Sequence, residues 1–310
     1  MKHIYFYLFF VCVLSGCKDA TDIQSTSRIR TITASLDGGS YTRIGLTPDA
    51  NSRDMITKWQ ASDKIRVLIT HDAKIYDIGD VNVYDISEDG KNCTFQYLLP
   101  EELEGVVEGY RLSCLTNNCT GKVQNDNVLY NASIIRAPIS KFKVRAMFDE
   151  HVEEGNSFVS FEHYGTYELL HITNKSGKDI SFSLYGFNAS PRWYREHGAM
   201  SLFDKQFMTD TSFESVEQSE KVVIPANGTD IIVSWYIPNG QTINNASIAA
   251  MIDGKEVHSA NTISSEVTLS TGIAYHMYAT WDGNELKFDK GDVVSSDIGI
   301  VMNDINGEDL

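Results

Sequence analysis

The residue pattern predicts an all-β protein folded as two tandem β-sandwich domains. Three observations lead there: short runs in which apolar and polar residues alternate, tight-turn dipeptides between those runs, and one acidic stretch that divides the chain. A two-residue period places successive side chains on opposite faces of a strand, so one face of each sheet needs a second layer to cover it. Many short strands with regular turn signals are the pattern of sandwiches.

The chain opens with Lys2 and His3, an apolar run from Ile4 to Val13, and Leu14-Ser15-Gly16-Cys17. Spanning a bilayer takes about 20 apolar residues, so this shorter run reads as a cleaved export signal over residues 1–16. Leu-Ser-Gly-Cys is similar to the bacterial lipobox, which implies that Cys17 is acylated and becomes the first mature residue. Several acyl chains on one residue give lasting attachment, whereas one binds marginally. Residues 17–28 are polar and aperiodic, and read as a lipidated tether.

The first domain is expected over 29–150. Ile32, Ala34 and Leu36 alternate with Thr31, Thr33 and Ser35, the turn Asp37-Gly38-Gly39 follows, and the same period returns at Lys64–Thr70. Leu99–Leu103 is the one stretch suited to a helical turn. Asp149–Asn156 is acidic and poor in core residues, and reads as a solvated linker. The second domain, 151–288, carries alternating runs at Ser181–Phe187, Val222–Ile224 and Ile231–Ile237, with turns at Asn227-Gly228, Asn239-Gly240, Asp253-Gly254 and Asp282-Gly283. Trp59, Trp235 and Trp281 lie in strand contexts and are expected in cores. Residues 289–310 form an acidic tail with one apolar patch at Ile298–Met302.

A net charge of −16 repels nucleic acid and anionic membrane surfaces, so nucleic acid is not an expected partner. The chain has no Gly-x-Ser-x-Gly elbow, no His-Glu-x-x-His and no phosphate-cradling glycine loop; it is read as a non-enzyme with no cofactor and no metal. Asp85-x-Ser87-x-Asp89-Gly90 opens like a calcium loop, but Gln96 stands where the closing bidentate carboxylate belongs, so a hairpin turn is the reading. Cys114 and Cys119 bracket Leu-Thr-Asn-Asn and are expected to pair across a hairpin in an oxidising compartment. Zinc binding is the competing reading, weakened by the lack of nearby paired histidines. Cys93 reads as a small core residue or a spare thiol. Pro191-Arg192-Trp193-Tyr194-Arg195 is the candidate ligand surface: two flat aromatics between two guanidinium groups could stack on a sugar and bond its hydroxyls. The competing reading is that Trp193 and Tyr194 cover the end of a sandwich.

Several segments together resemble the fimbrillin family of Bacteroidota, the subunits of type V pili. Ile32-Thr33-Ala34-Ser35-Leu36 followed by Thr42-Arg43 resembles the family's first strand and its cleavage region. Trp59-Gln60-Ala61-Ser62-Asp63-Lys64-Ile65-Arg66-Val67 resembles the opening of its first domain, and Phe161-Glu162-His163 through Leu169-Leu170-His171-Ile172-Thr173-Asn174 that of its second. Trp235-Tyr236-Ile237-Pro238, Gly272-Ile273-Ala274-Tyr275 and Trp281-Asp282-Gly283-Asn284-Glu285-Leu286 are similar to later strands. Two departures stand out: Tyr110-Arg111-Leu112-Ser113-Cys114-Leu115 replaces the family's tyrosine-x-alanine-x-tyrosine-proline strand, and the acidic tail lies outside the pattern.

The resemblance implies two sandwich domains of transthyretin-like Greek-key topology and a role in assembly. It implies that a protease cuts after Arg43, that a donor strand carrying Ile32, Ala34 and Leu36 is removed, and that another pilus subunit's extended segment fills the groove by β-augmentation. Arg28, Arg30 and Arg53 compete with Arg43 as the processing site. Expected partners are other pilus subunits, the outer membrane through the lipid, and a host protein or glycan, with a location at the cell surface or in a fimbria. The rival reading is a monomeric glycan-binding outer-membrane lipoprotein of a nutrient-uptake system; a third is a structural surface lipoprotein.

Overall fold

The computed structural model describes residues 28–36, 47–48, 55–106, 108–116, 121–124, 127–153, 157–195, 197–202, 206–209, 219–243, 245–263, 266–289 and 294–297. Among these the chain is all-β, and the only helical element is one 3-10 turn, Glu101–Leu103, inside the stretch expected to turn.

The first half differs from the expected sandwich. Seven strands close a barrel in the order Ile29–Leu36, Phe158–His163, Ala146–Val152, Tyr110–Thr116, Lys64–His71, Lys74–Tyr84 and Asn92–Leu98, the last pairing back to the first. Closure comes from Ile29–Leu36, which is hydrogen-bonded along both edges, antiparallel to Asn92–Leu98 and parallel to Phe158–His163. A period of two gives one inward face in an open sandwich and in a barrel alike, so alternation could not separate them. The Asp85–Gly90 segment is the hairpin turn its residues predict. Ser87 Oγ donates to Asp89 Oδ1 at 2.6 Å, and the same carboxylate accepts the Lys91 amide at 2.9 Å.

The stretch read as a linker at 149–156 begins inside the barrel strand Ala146–Val152. Asp149 is buried there, ion-paired with Arg111, and accepts the Ser113 hydroxyl at 2.7 Å. A carboxylate held this way is structural, whereas a linker's charges face water. Phe158–His163, placed by the sequence in the second domain, is likewise barrel wall.

The second half is a sandwich. One sheet holds Ile135–Pro138, Thr229–Tyr236, Thr166–Asn174, Ile273–Trp281 and Leu286–Phe288, with Val294–Asp297 also paired to Ile273–Trp281. The other holds Val222–Ile224, Ile180–Asn188, Ser247–Ile252 and Lys255–His258. Leu170, Ile172, Ile232 and Met277 meet Phe182, Leu184, Ile248 and Ala250 in the core between them. The opposite face of the first sheet, through Leu169, Val233 and Trp235, joins the barrel's core. Leu169-Leu170 and Ile231-Ile232-Val233 are therefore continuous apolar runs, as strands covered on both faces require. Trp59 and Trp235 are core residues; Trp281 is half-buried against the second core.

Candidate functional site

The site is the Ile29–Leu36 strand and the groove that holds it. Its alternating Ile and Thr residues favour extended backbone and present two different faces. Ile32, Ala34 and Leu36 point into the barrel and are 2%, 0% and 5% exposed, while Ile29 and Thr31 face outward. Ile32 lies beside Phe95, Ala34 lies between Cys93 and Val159, and Leu36 lies beside Phe161. All four of these neighbours are buried.

Polar contacts hold the strand's edges and ends. The Thr33 amide donates to the Ser157 carbonyl at 2.6 Å, and the Leu99 amide donates to the Arg28 carbonyl at 2.8 Å. On the outer face, the Gln96 side-chain Nε2 donates to the Thr31 hydroxyl at 3.0 Å, and the Ser35 hydroxyl donates to that of Ser160 at 3.3 Å. Arg28 pairs with Glu101 at 3.5 Å. Arg30 hydrogen-bonds the Tyr110 hydroxyl, which in turn shares a short hydrogen bond with that of Tyr97. Burial pushes both phenols up, and the Arg30 charge partly opposes this. Burial likewise pushes the Cys93 and Cys114 thiols up, reinforced by the charges of Asp63 and Asp149 respectively, which leaves neither as a ready nucleophile. The arrangement holds a strand by hydrogen bonds along both edges, over an apolar floor.

Ile32, Ala34 and Leu36 share the inward face of Ile29–Leu36, the face that the alternation assigns to them. Cys17, Arg43, Cys119 and the Ile298–Met302 patch lie outside the described residues. Cys114 is buried in the barrel core, and its expected partner, Cys119, lies outside the described residues.

The candidate ligand surface is corrected. Trp193 is 0% exposed, and its indole N–H donates to Glu168 Oε2 and to the Tyr236 hydroxyl, each at 3.1 Å. Tyr194 is buried beneath the Arg136 guanidinium, 5.7 Å from the ring centre. The aromatic faces needed for stacking on a sugar are thus inside the sandwich. Arg192 and Arg195 remain exposed, with Arg195 lying 4.4 Å over the Phe207 ring.

Sequence reasoning missed two groups. Arg30, Tyr97 and Tyr110 carried no local motif, since their meeting depends on barrel closure. Glu168 did leave a signal: it is a lone carboxylate within the apolar run Tyr167–Leu170. Burial raises its pKa to about 7, against the hydrogen bond from Tyr236, the charge of Arg136 and the hydrogen bond from Trp193.

No family model and no curated protein matches the chain. Among solved structures it is similar to a protein assigned to cell adhesion from Bacteroides ovatus, at 11% identity and a TM-score of 0.45, covering 88% of this chain and 99% of that one. It is similar to the tip fimbrial protein Mfa3 from Porphyromonas gingivalis, at 8% identity and a TM-score of 0.35, covering 86% and 99%. A fimbrial assembly protein from Parabacteroides distasonis gives 10% identity and a TM-score of 0.37, covering 86% and 98%.

Proposed function

We propose that this chain is a fimbrial subunit, or a fimbrillin-like adhesion lipoprotein, that assembles by exchanging its first strand. In this reading Cys17 anchors the newly exported protein to the outer membrane. Cleavage after Arg43 then frees Ile29–Leu36, and an extended segment of another subunit takes its place. The observation that carries the reading is the strand's double pairing around an inward Ile32, Ala34 and Leu36. Taking away such a strand leaves a slot with hydrogen-bonding backbone on both sides and an apolar floor. That is the geometry β-augmentation needs.

The cut would act through chain connectivity. Ile32 and Leu36 each gain roughly 1.5–3 kcal/mol from burial, and a replacement strand of similar composition gains as much. Exchange is then close to neutral, and a tethered strand wins through an effective concentration in about the millimolar range. Cutting the tether removes that advantage, so cleavage decides when assembly starts. The sequence resemblance to fimbrillins supports the same order of events. The glycan-binding alternative loses its proposed surface, because Trp193 and Tyr194 are buried.

Limited digestion of the full chain with an arginine-specific protease tests the proposal. The expected result is one early cut giving a new N-terminus at Ile44, followed by a ladder of oligomers. Resistance at Arg43, or cutting without assembly, would leave a monomeric surface lipoprotein.

A further inference from the structure

We infer that the groove under Ile29–Leu36 selects its incoming strand by size. It takes a segment from another chain whose inward side chains run large, small, large, with a basic residue two positions before the first large one. This rests on the strand-exchange reading and names the chemistry of its partner. The register supplies the reason. Ile32 has a paired neighbour only on the Asn92–Leu98 side and Leu36 only on the Phe158–His163 side, whereas Ala34 is paired on both, with Cys93 and with Val159. Ala34, Cys93 and Val159 are 0%, 0% and 1% exposed, so the centre of the slot is enclosed from both edges.

Interiors are packed to crystal-like density, and extra methylenes at a filled position force neighbours off their rotamers. The outer positions, flanked on one registered side each, hold Ile and Leu. The centre holds a single methyl group. At the barrel's end the Arg30 guanidinium bonds the Tyr110 hydroxyl, whose other partner, Tyr97, is also buried. A segment with a cation at that place keeps the tyrosine pair satisfied, and one with an aliphatic residue there forfeits that bond.

The test uses the full chain with one specific protease site placed within residues 37–46. After cutting, labelled peptides spanning residues 28–36 are offered to the folded protein and their retention is measured. The native peptide should exchange in, and an Ala34→Ser peptide should bind within about threefold of it, while an Ala34→Leu peptide should bind at least about tenfold more weakly. Cys93→Ala in the protein should recover part of that loss, because removing Sγ enlarges the central subsite. Equal binding of the native and Ala34→Leu peptides overturns the size rule and leaves strand exchange standing. Failure of the folded, cut protein to take up even the native peptide overturns both. In the uncut chain, Ala34→Leu should lower Tm more than Ala34→Ser, and Cys93→Ala should narrow the gap. An unchanged gap refutes the role given to Cys93.

Discussion

Glu168 shows how one residue can carry a pH dependence for the whole fold. Its carboxyl is 1% exposed and accepts hydrogen bonds from Tyr236 and Trp193, at 2.9 and 3.1 Å, with Arg136 as the nearby opposing charge. Its pKa rises from the ordinary 4.5 to about 7, with burial the largest cause. Between those values the folded protein holds a proton that the unfolded chain has released, so stability falls as pH rises across that window. The loss is complete above the folded value. Glu168→Gln removes the titration and keeps an oxygen able to accept both hydrogen bonds. Thermal melts at constant ionic strength should therefore show a smaller decline from pH 5 to pH 8 in the variant than in the parent, and equal declines would refute this. The residue was legible only as an anomaly. A carboxylate inside an apolar run must be paired somewhere, but its partners come from distant strands that sequence spacing does not reveal. Cys114 is the opposite case: the loop after its strand suggested a hairpin pairing, and the strand itself places the side chain in the barrel core.

At the scale of elements, the first strand was readable because its alternation is local and complete over Ile29–Leu36. Its parallel partner was not. Pairing with Phe158–His163 joins segments far apart in the chain, and nothing in either one specifies the other. The acidic linker reading failed similarly, since Asp149 looks solvated until Arg111 and Ser113 are placed beside it. The strand's two faces should differ sharply in mutational cost. Ile32→Ala removes buried methylenes and leaves a cavity, a loss of about 2–5 kcal/mol for such sites. Thr31→Ala gives up one exposed hydrogen bond and should stay within about 0.5 kcal/mol. Urea unfolding of the two full-length variants measures the difference, and comparable losses would mean that the inward face does not hold the barrel closed.

Across the whole molecule, the sheet built around Thr166–Asn174 serves both halves. Leu169, Val233 and Trp235 belong to the barrel's core, while Leu170, Ile172 and Ile232 belong to the sandwich's. The sequence suggested two domains joined by a linker, but a sheet covered on both faces joins them through packing. None of the first strand's residues enters the second core. Releasing that strand should therefore unmask the barrel edge without melting the sandwich. Hydrogen exchange on the full chain, before and after cutting within residues 37–46 and displacing the strand with excess peptide spanning residues 28–36, gives the test. When the displacing peptide is then washed out, amides of Asn92–Leu98 and Phe158–His163 should lose protection, because each loses a ladder to Ile29–Leu36. Amides of Ile180–Asn188 and Ser247–Ile252, paired with one another across the second core, should keep theirs. Loss of protection in both sets would show that the shared sheet transmits barrel opening to the sandwich, and the proposed strand exchange would then lack a folded, open chain to receive the incoming strand.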